Sequence, residues 1–153
     1  MRALYPIGLE YGQTGKQSIR EEMAMTARET VEAFLGAWSK SNAAMLQSYR
    51  DYFTDATVWE NVGMSRTVGP DAALALLDQF AESLDMGTIK VDLLSIAVDG
   101  DRVLTERIDR IIGKDGTEKI AIQLMGIFEI QDGKILGWRD YFDTASFAAG
   151  QSG

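Results

Sequence analysis

A chain of 153 residues, 46% hydrophobic and 25% charged, has enough apolar material for one domain with its own core but not for two. Its net charge of −8 argues against nucleic acid and anionic membrane surfaces as partners, and no apolar run approaches the length of a membrane-spanning helix. Having neither Cys nor His excludes disulfides, thiolate chemistry, zinc–sulfur sites and the Ser–His–Asp triad, so any catalysis must rest on Asp, Glu, Lys, Tyr or Arg.

Residues 1–24 contain Gly12 and Gly15 and little periodicity, and are expected to form an irregular extension to a single domain over residues 25–153. They show no charged lead followed by a long apolar stretch, so no secretory signal is expected and the cytoplasm is the expected location. Met25 and Thr26 resemble a second start, with Thr26 as a helix N-cap and Glu29 completing a capping box. A helix through "ARETVEAFLGAWSKS" would bury Val31, Phe34, Leu35 and Trp38, which recur at helical spacing. A second helix is expected in "NAAMLQSYRDYF", entered through Asn42. "ATVWENV" reads as a strand with Trp59 and Asn61 on one face and Val58, Glu60 and Val62 on the other. "GMSRTVGP" reads as a link to a third helix, "DAALALLDQFAESL", started by Pro70.

From there the pattern turns to strands: "TIKVDLLSIAV", "RVLTERIDRII", "TEKIAIQLMGIFEI" and "ILGWRDYFD", separated by the Gly-containing turns "DGD", "GKDG" and "QDGK". Long strands joined by such turns form an antiparallel meander. Helices followed by a curved, mostly antiparallel sheet make an α+β fold, in which the helices cover one face and leave an apolar pocket. The methionines, Met86 and Met125 included, are expected to fill gaps in the core.

Two positions break the apolar pattern of the strands. In "GWRDYFD" the period of two sets Leu136, Trp138, Asp140 and Phe142 on one face and Arg139 and Tyr141 on the other, so a carboxylate interrupts an apolar stripe. In "RVLTERIDRII", Val103, Thr105, Arg107, Asp109 and Ile111 share a face. If both faces look into the pocket, its floor carries Asp–Arg–Asp. A guanidinium with five fixed donors can serve two carboxylates, and unequal burial would separate their pKa values into an acid and a base. Such a cluster is also a common structural ion-pair network, just as Trp138 and Phe142 could be plain core and Asn61 a satisfied half-buried amide.

The segments "VWENVG", "LTERID", "LMGIFEI" and "DGKILGWRDYFD", in this order, resemble the limonene-1,2-epoxide hydrolase family over roughly residues 26–147. The resemblance implies the cone of the nuclear transport factor two-like, or cystatin-like, superfamily and a homodimer. It implies hydrolysis of a hydrophobic, terpenoid-like or cyclic epoxide to a diol in one step, with epoxide and water as partners and no cofactor or metal. Asp109 matches the general acid, Asp140 the base that activates the water, Arg107 the bridge between them, and Asn61 a residue that holds the water. Trp59 stands where the family has a Tyr whose phenol helps hold that water; an indole N–H donates one hydrogen bond and accepts none. By family position Trp38, Met86, Ile111, Ile122, Leu124, Trp138 and Phe142 would line the pocket. The same fold also hosts polyketide cyclases, ketosteroid isomerases and non-catalytic binding or dimerisation modules, which remain alternatives at this stage.

Overall fold

The computed structural model describes residues 25–151, so the expected extension over 1–24 lies outside the described residues. Helix α1 (Ala27–Trp38) begins as its sequence dictates: Thr26 Oγ1 accepts from the Glu29 amide at 3.1 Å, and the Thr26 amide donates to Glu29 Oε2 at 2.8 Å. It buries Val31, Phe34, Leu35 and Trp38, as the spacing requires. Helix α2 (Asn42–Tyr52) is capped by Ser41, whose hydroxyl accepts from the Ala44 amide at 3.0 Å. Asn42 is the first helical residue, as expected. A hydroxyl one position earlier satisfies a free amide of the first turn.

The chain leaves α2 directly into strand β1 (Phe53–Asn61), earlier than "ATVWENV" alone suggests. Inside the segment read as a link lies a short strand, β2 (Ser65–Val68), folded back on β1 with Asn61 opposite Ser65. Gly63, at φ 82°, supplies the left-handed conformation this tight return needs. Pro70 opens α3 (Pro70–Leu84) as expected. Strands β3 (Met86–Asp99), β4 (Arg102–Gly113), β5 (Glu118–Gln131) and β6 (Lys134–Phe142) then form the antiparallel meander. The sheet order is β2-β1-β6-β5-β4-β3, with β6 parallel to β1 and every other pair antiparallel. The result is the expected α+β fold, a mixed sheet that is not closed, with helices on one face.

The face assignment of β6 needs one correction. Ile135 is buried and Leu136 is exposed, the reverse of strict alternation. The pairing with β5 slips by one residue between Glu129–Gly137 and Ile130–Ile135, leaving Leu136 as the extra residue of a β-bulge. Trp138, Asp140 and Phe142 still share the inner face, but Leu136 does not. On β5, Met125 alternates outward and is half exposed, so it fills no core gap; Met86 is buried as expected.

After β6 a further helix, α4 (Thr144–Gln151), starts on Asp143, whose Oδ1 accepts from the amides of Ala145 and Ser146, both at 3.1 Å. Its Phe147 meets Phe142 and Phe80 edge-on, with ring centroids 5.9 and 6.4 Å away. The core centres on Phe34, whose ring touches those of Trp38, Tyr49, Tyr52, Phe53, Phe128 and Trp138.

Candidate active site

Helices and sheet enclose a cavity of about 580 Å³, including its open mouth. An enclosed, mostly apolar cavity with a few polar groups is the usual form of a small-molecule site. Trp38, Met86, Ile111, Ile122, Leu124, Trp138 and Phe142 all line it, together with Trp59, Asn61, Asp109 and Asp140. The sequence pattern did not single out Tyr49, Met64, Leu77, Phe80, Leu84, Ile89 and Phe147, which complete the wall. Most of these come from helices, where an apolar residue at helical spacing looks the same whether it meets core or cavity.

Arg107 is absent from the cavity wall. It lies beneath the floor with no exposed surface, reached only by its partners. Strand β4 alternates cleanly, so Thr105, Arg107 and Asp109 follow one another on the inner face. Arg107 Nε donates to Asp109 Oδ1 at 2.9 Å and Nη2 to Asp109 Oδ2 at 3.3 Å. Nη2 also donates to Asp140 Oδ2 at 2.6 Å, and Nη1 to Thr105 Oγ1 at 3.2 Å. The guanidinium sits 5.6 Å from the Trp138 ring centroid and 5.9 Å from that of Phe128, which adds favourable contact with two aromatic faces. One cation therefore bridges two carboxylates in a nearly dry site.

Asp140 is held from a second side as well. Trp138 Nε1 donates to Asp140 Oδ1 at 2.7 Å, so both oxygens of Asp140 are oriented. Asn61 lies opposite Asp140 in the parallel β1–β6 pairing, and the Val62 amide donates to the Asp140 carbonyl at 3.0 Å. The Asn61 side chain donates through Nδ2 to Ser65 Oγ at 3.0 Å, which leaves its oxygen as the available acceptor. Gly126 of β5 pairs with both Thr105 and Asp140. A Cβ there would lie 2.5 Å from Asp140 Oδ1 and closer still to Arg107 Nη1, so only glycine leaves room for the bridge. Its role was invisible in sequence because the close approach comes from neighbouring strands.

Electrostatics separate the groups. Burial pushes the Asp140 carboxyl up to about 6; Arg107 and the Trp138 hydrogen bond oppose the rise, and the Asp109 charge adds to it. Burial also works against the Arg107 charge, but the two carboxylates outweigh it and hold the guanidinium firmly ionised. Burial, then Asp140 and Asp109, raise the Tyr49 phenol well above its ordinary value, so it stays protonated. Among the described residues no group of three or more His, Cys, Asp or Glu side chains is placed to hold a metal ion. The arrangement can present a carboxylic acid and a carboxylate to one small molecule and one water.

Comparison with known proteins follows the same line. Residues 25–151 match the family described as the limonene-1,2-epoxide hydrolase catalytic domain. The chain is 36% identical over 114 residues to epoxide hydrolase EphG of Mycobacterium tuberculosis, covering 74% of this chain and 71% of that one. The structure of an M. tuberculosis LEH-like epoxide hydrolase superposes with a TM-score of 0.64 at 34% identity, covering 82% of this chain and 89% of that one. TerC, co-crystallised with polyporic acid, shares the fold alone: TM-score 0.68 at 16% identity, over 83% of this chain and 98% of that one.

Proposed function

The chain belongs to the limonene-1,2-epoxide hydrolase family and is an epoxide hydrolase; from that premise we propose that it opens a hydrophobic, terpenoid-like or cyclic epoxide in one step by Asp–Arg–Asp acid–base catalysis. The observation that carries the reading is the buried Arg107 fork, bonded to both Asp109 and Asp140 at the floor of an apolar cavity. Asp109, the more exposed of the two carboxyls, gives its proton to the epoxide oxygen as the ring C–O bond breaks. Asp140 takes a proton from the water whose oxygen forms the new C–O bond. The product is a vicinal diol, and the proton gained by Asp140 must return to Asp109 before the next turnover. Arg107 holds both carboxylates in register, and its charge offsets one of theirs. Each positioned proton transfer is worth typically about 10²–10⁴-fold.

A base with a pKa of about 6 is well matched to neutral pH, because it is ionised and still accepts a proton readily. The assignment of roles is therefore testable by pH. With Asp140 as base, kcat/KM falls as the pH drops through about 6. A fall as the pH rises through that value would instead make Asp140 the acid and exchange the two roles.

The first experiment is incubation with a panel of cyclic and linear epoxides and detection of diols. Single turnover in ¹⁸O-labelled water with excess enzyme then tests the one-step route. Label should appear in the diol and none in the protein; label entering a carboxylate would reveal an ester intermediate.

A second copy of the chain is the partner we propose for the outer sheet face. Leu94, Met125 and Tyr141 project there, 56%, 50% and 50% exposed, an apolar display a homodimer would cover. Light scattering of the purified protein decides this. Among the described residues no helix is long and apolar enough to cross a membrane. The expected cytoplasmic location is checked by cell fractionation.

A further inference from the structure

Three donors on residues that line the cavity have no hydrogen-bond partner among the described residues: the indole N–H groups of Trp38 and Trp59 and the hydroxyl of Tyr49. A buried O–H without an acceptor carries a desolvation penalty that only an acceptor relieves. Tyr49 cannot swing away to find one. Its ring is stacked on Trp38 at 5.8 Å, meets Trp59 edge-on at 5.6 Å and abuts Phe53 at 5.0 Å and Phe34 at 5.3 Å. Tyr49 lines the same cavity as Asp109 and Asp140, and its ring centroid lies 6.1 Å from that of Trp138, which bonds Asp140. Burial, with the two carboxylates adding to it, holds the phenol well above its ordinary value, so the hydroxyl remains a proton donor. Trp59 lies flat against Trp138, 5.0 Å between centroids and 13° between planes, and its N–H can only donate.

We propose that the Tyr49 hydroxyl is a catalytic hydrogen-bonding group that holds the reacting water beside Asp140, together with the Asn61 amide oxygen, while Trp59 forms the wall behind it. This rests on the epoxide-hydrolase reading of the site given above. The water donates one hydrogen bond to Asp140 and one to Asn61 Oδ1, and accepts one from Tyr49. Its remaining lone pair faces the epoxide carbon. As the new C–O bond forms and the ring C–O bond breaks, the water proton passes to Asp140 and Tyr49 keeps its own.

Tyr49→Phe removes one oxygen and keeps the ring. It should lower kcat about tenfold or more, the worth of one hydrogen bond to the reacting water, with KM changed by less than about threefold. The melting temperature should not fall, because no hydrogen bond within the protein is lost. A kcat within about threefold of wild type, or a lowered melting temperature with unchanged kcat, overturns the proposal. Trp59→Tyr supplies a second phenol against the same ring position. It should raise kcat several-fold more in the Tyr49→Phe background than in the wild type, and equal effects in the two backgrounds overturn the assignment. High-resolution crystal structures of the wild type and Tyr49→Phe give a readout independent of turnover. A water within hydrogen-bond distance of both Tyr49 and Asp140 is expected in the first and not in the second; no such water in the wild type overturns the proposal. A wild type that opens no epoxide would remove the broader reading of the site, and the crystal structures would still decide whether Tyr49 holds a water.

Discussion

Arg107 has no exposed surface, and its two carboxylate partners retain little. Replacing it with Gln leaves two carboxylates facing each other with no cation between them. Removing one partner from a buried ion network costs about 3–5 kcal/mol, so Arg107→Gln should lose both hydrolysis and several degrees of melting temperature. Melting at the wild-type temperature would show that Arg107 is no hub. The carboxylates differ in this respect. Asp109→Asn and Asp140→Asn keep the shape of the site and abolish proton exchange, so each should reduce hydrolysis by at least about 10²-fold while circular dichroism shows an unchanged fold. Either variant working within a few-fold of wild type would sink the two-carboxylate mechanism.

Single strands and turns decide whether those residues can meet. Strand β5 contributes Gly126, whose missing side chain makes space for Arg107 Nη1 and Asp140 Oδ1. Gly126→Ala should therefore displace the bridge and reduce turnover by about 10²-fold, the effect of misplacing reacting groups by an ångström. Gly36 is the matched control. It lies on the exposed side of α1 with no described residue within 4 Å of an added Cβ, and alanine there should raise helix stability by up to about 1 kcal/mol and leave turnover alone. Activity assays and thermal melts of the two variants side by side separate the effects. The bulge at Leu136 matters at the same scale. It absorbs one residue, so that Ile135 and Trp138 both face inward and Asp140 arrives opposite Gly126.

For the molecule as a whole, burying Asp140 links folding to pH. Its carboxyl sits at about 6 in the folded chain against an ordinary value of 3.8, so the folded state binds more protons between those values. The contribution favours folding fully below the ordinary value and is lost as the pH rises through about 6. Asp140→Asn cannot ionise, so its stability relative to wild type should increase from pH 4 to pH 7. Urea midpoints of the two proteins across that range test it, and a constant difference would mean that burial does not perturb Asp140.

Local signals accounted for much of the fold. Thr26 and Glu29 mark the start of α1, Pro70 the start of α3, and "DGD", "GKDG" and "QDGK" the turns of the meander, because caps and turns are built by residues a few positions apart. The alternation in "RVLTERIDRII" likewise put Arg107 and Asp109 on one face, since the period of a strand is a property of the backbone. The same reasoning misplaced Leu136 and missed β2, which is only four residues long and is stabilised by its pairing with β1. Helix α4 also went unread, although Asp143 caps it locally. Tertiary structure alone decided that Arg107 lies under the cavity floor, that Gly126 must have no side chain, and that the Tyr49 hydroxyl is left without a partner among the described residues. Each of these depends on atoms brought together from distant segments, and no spacing along the chain encodes such a distance.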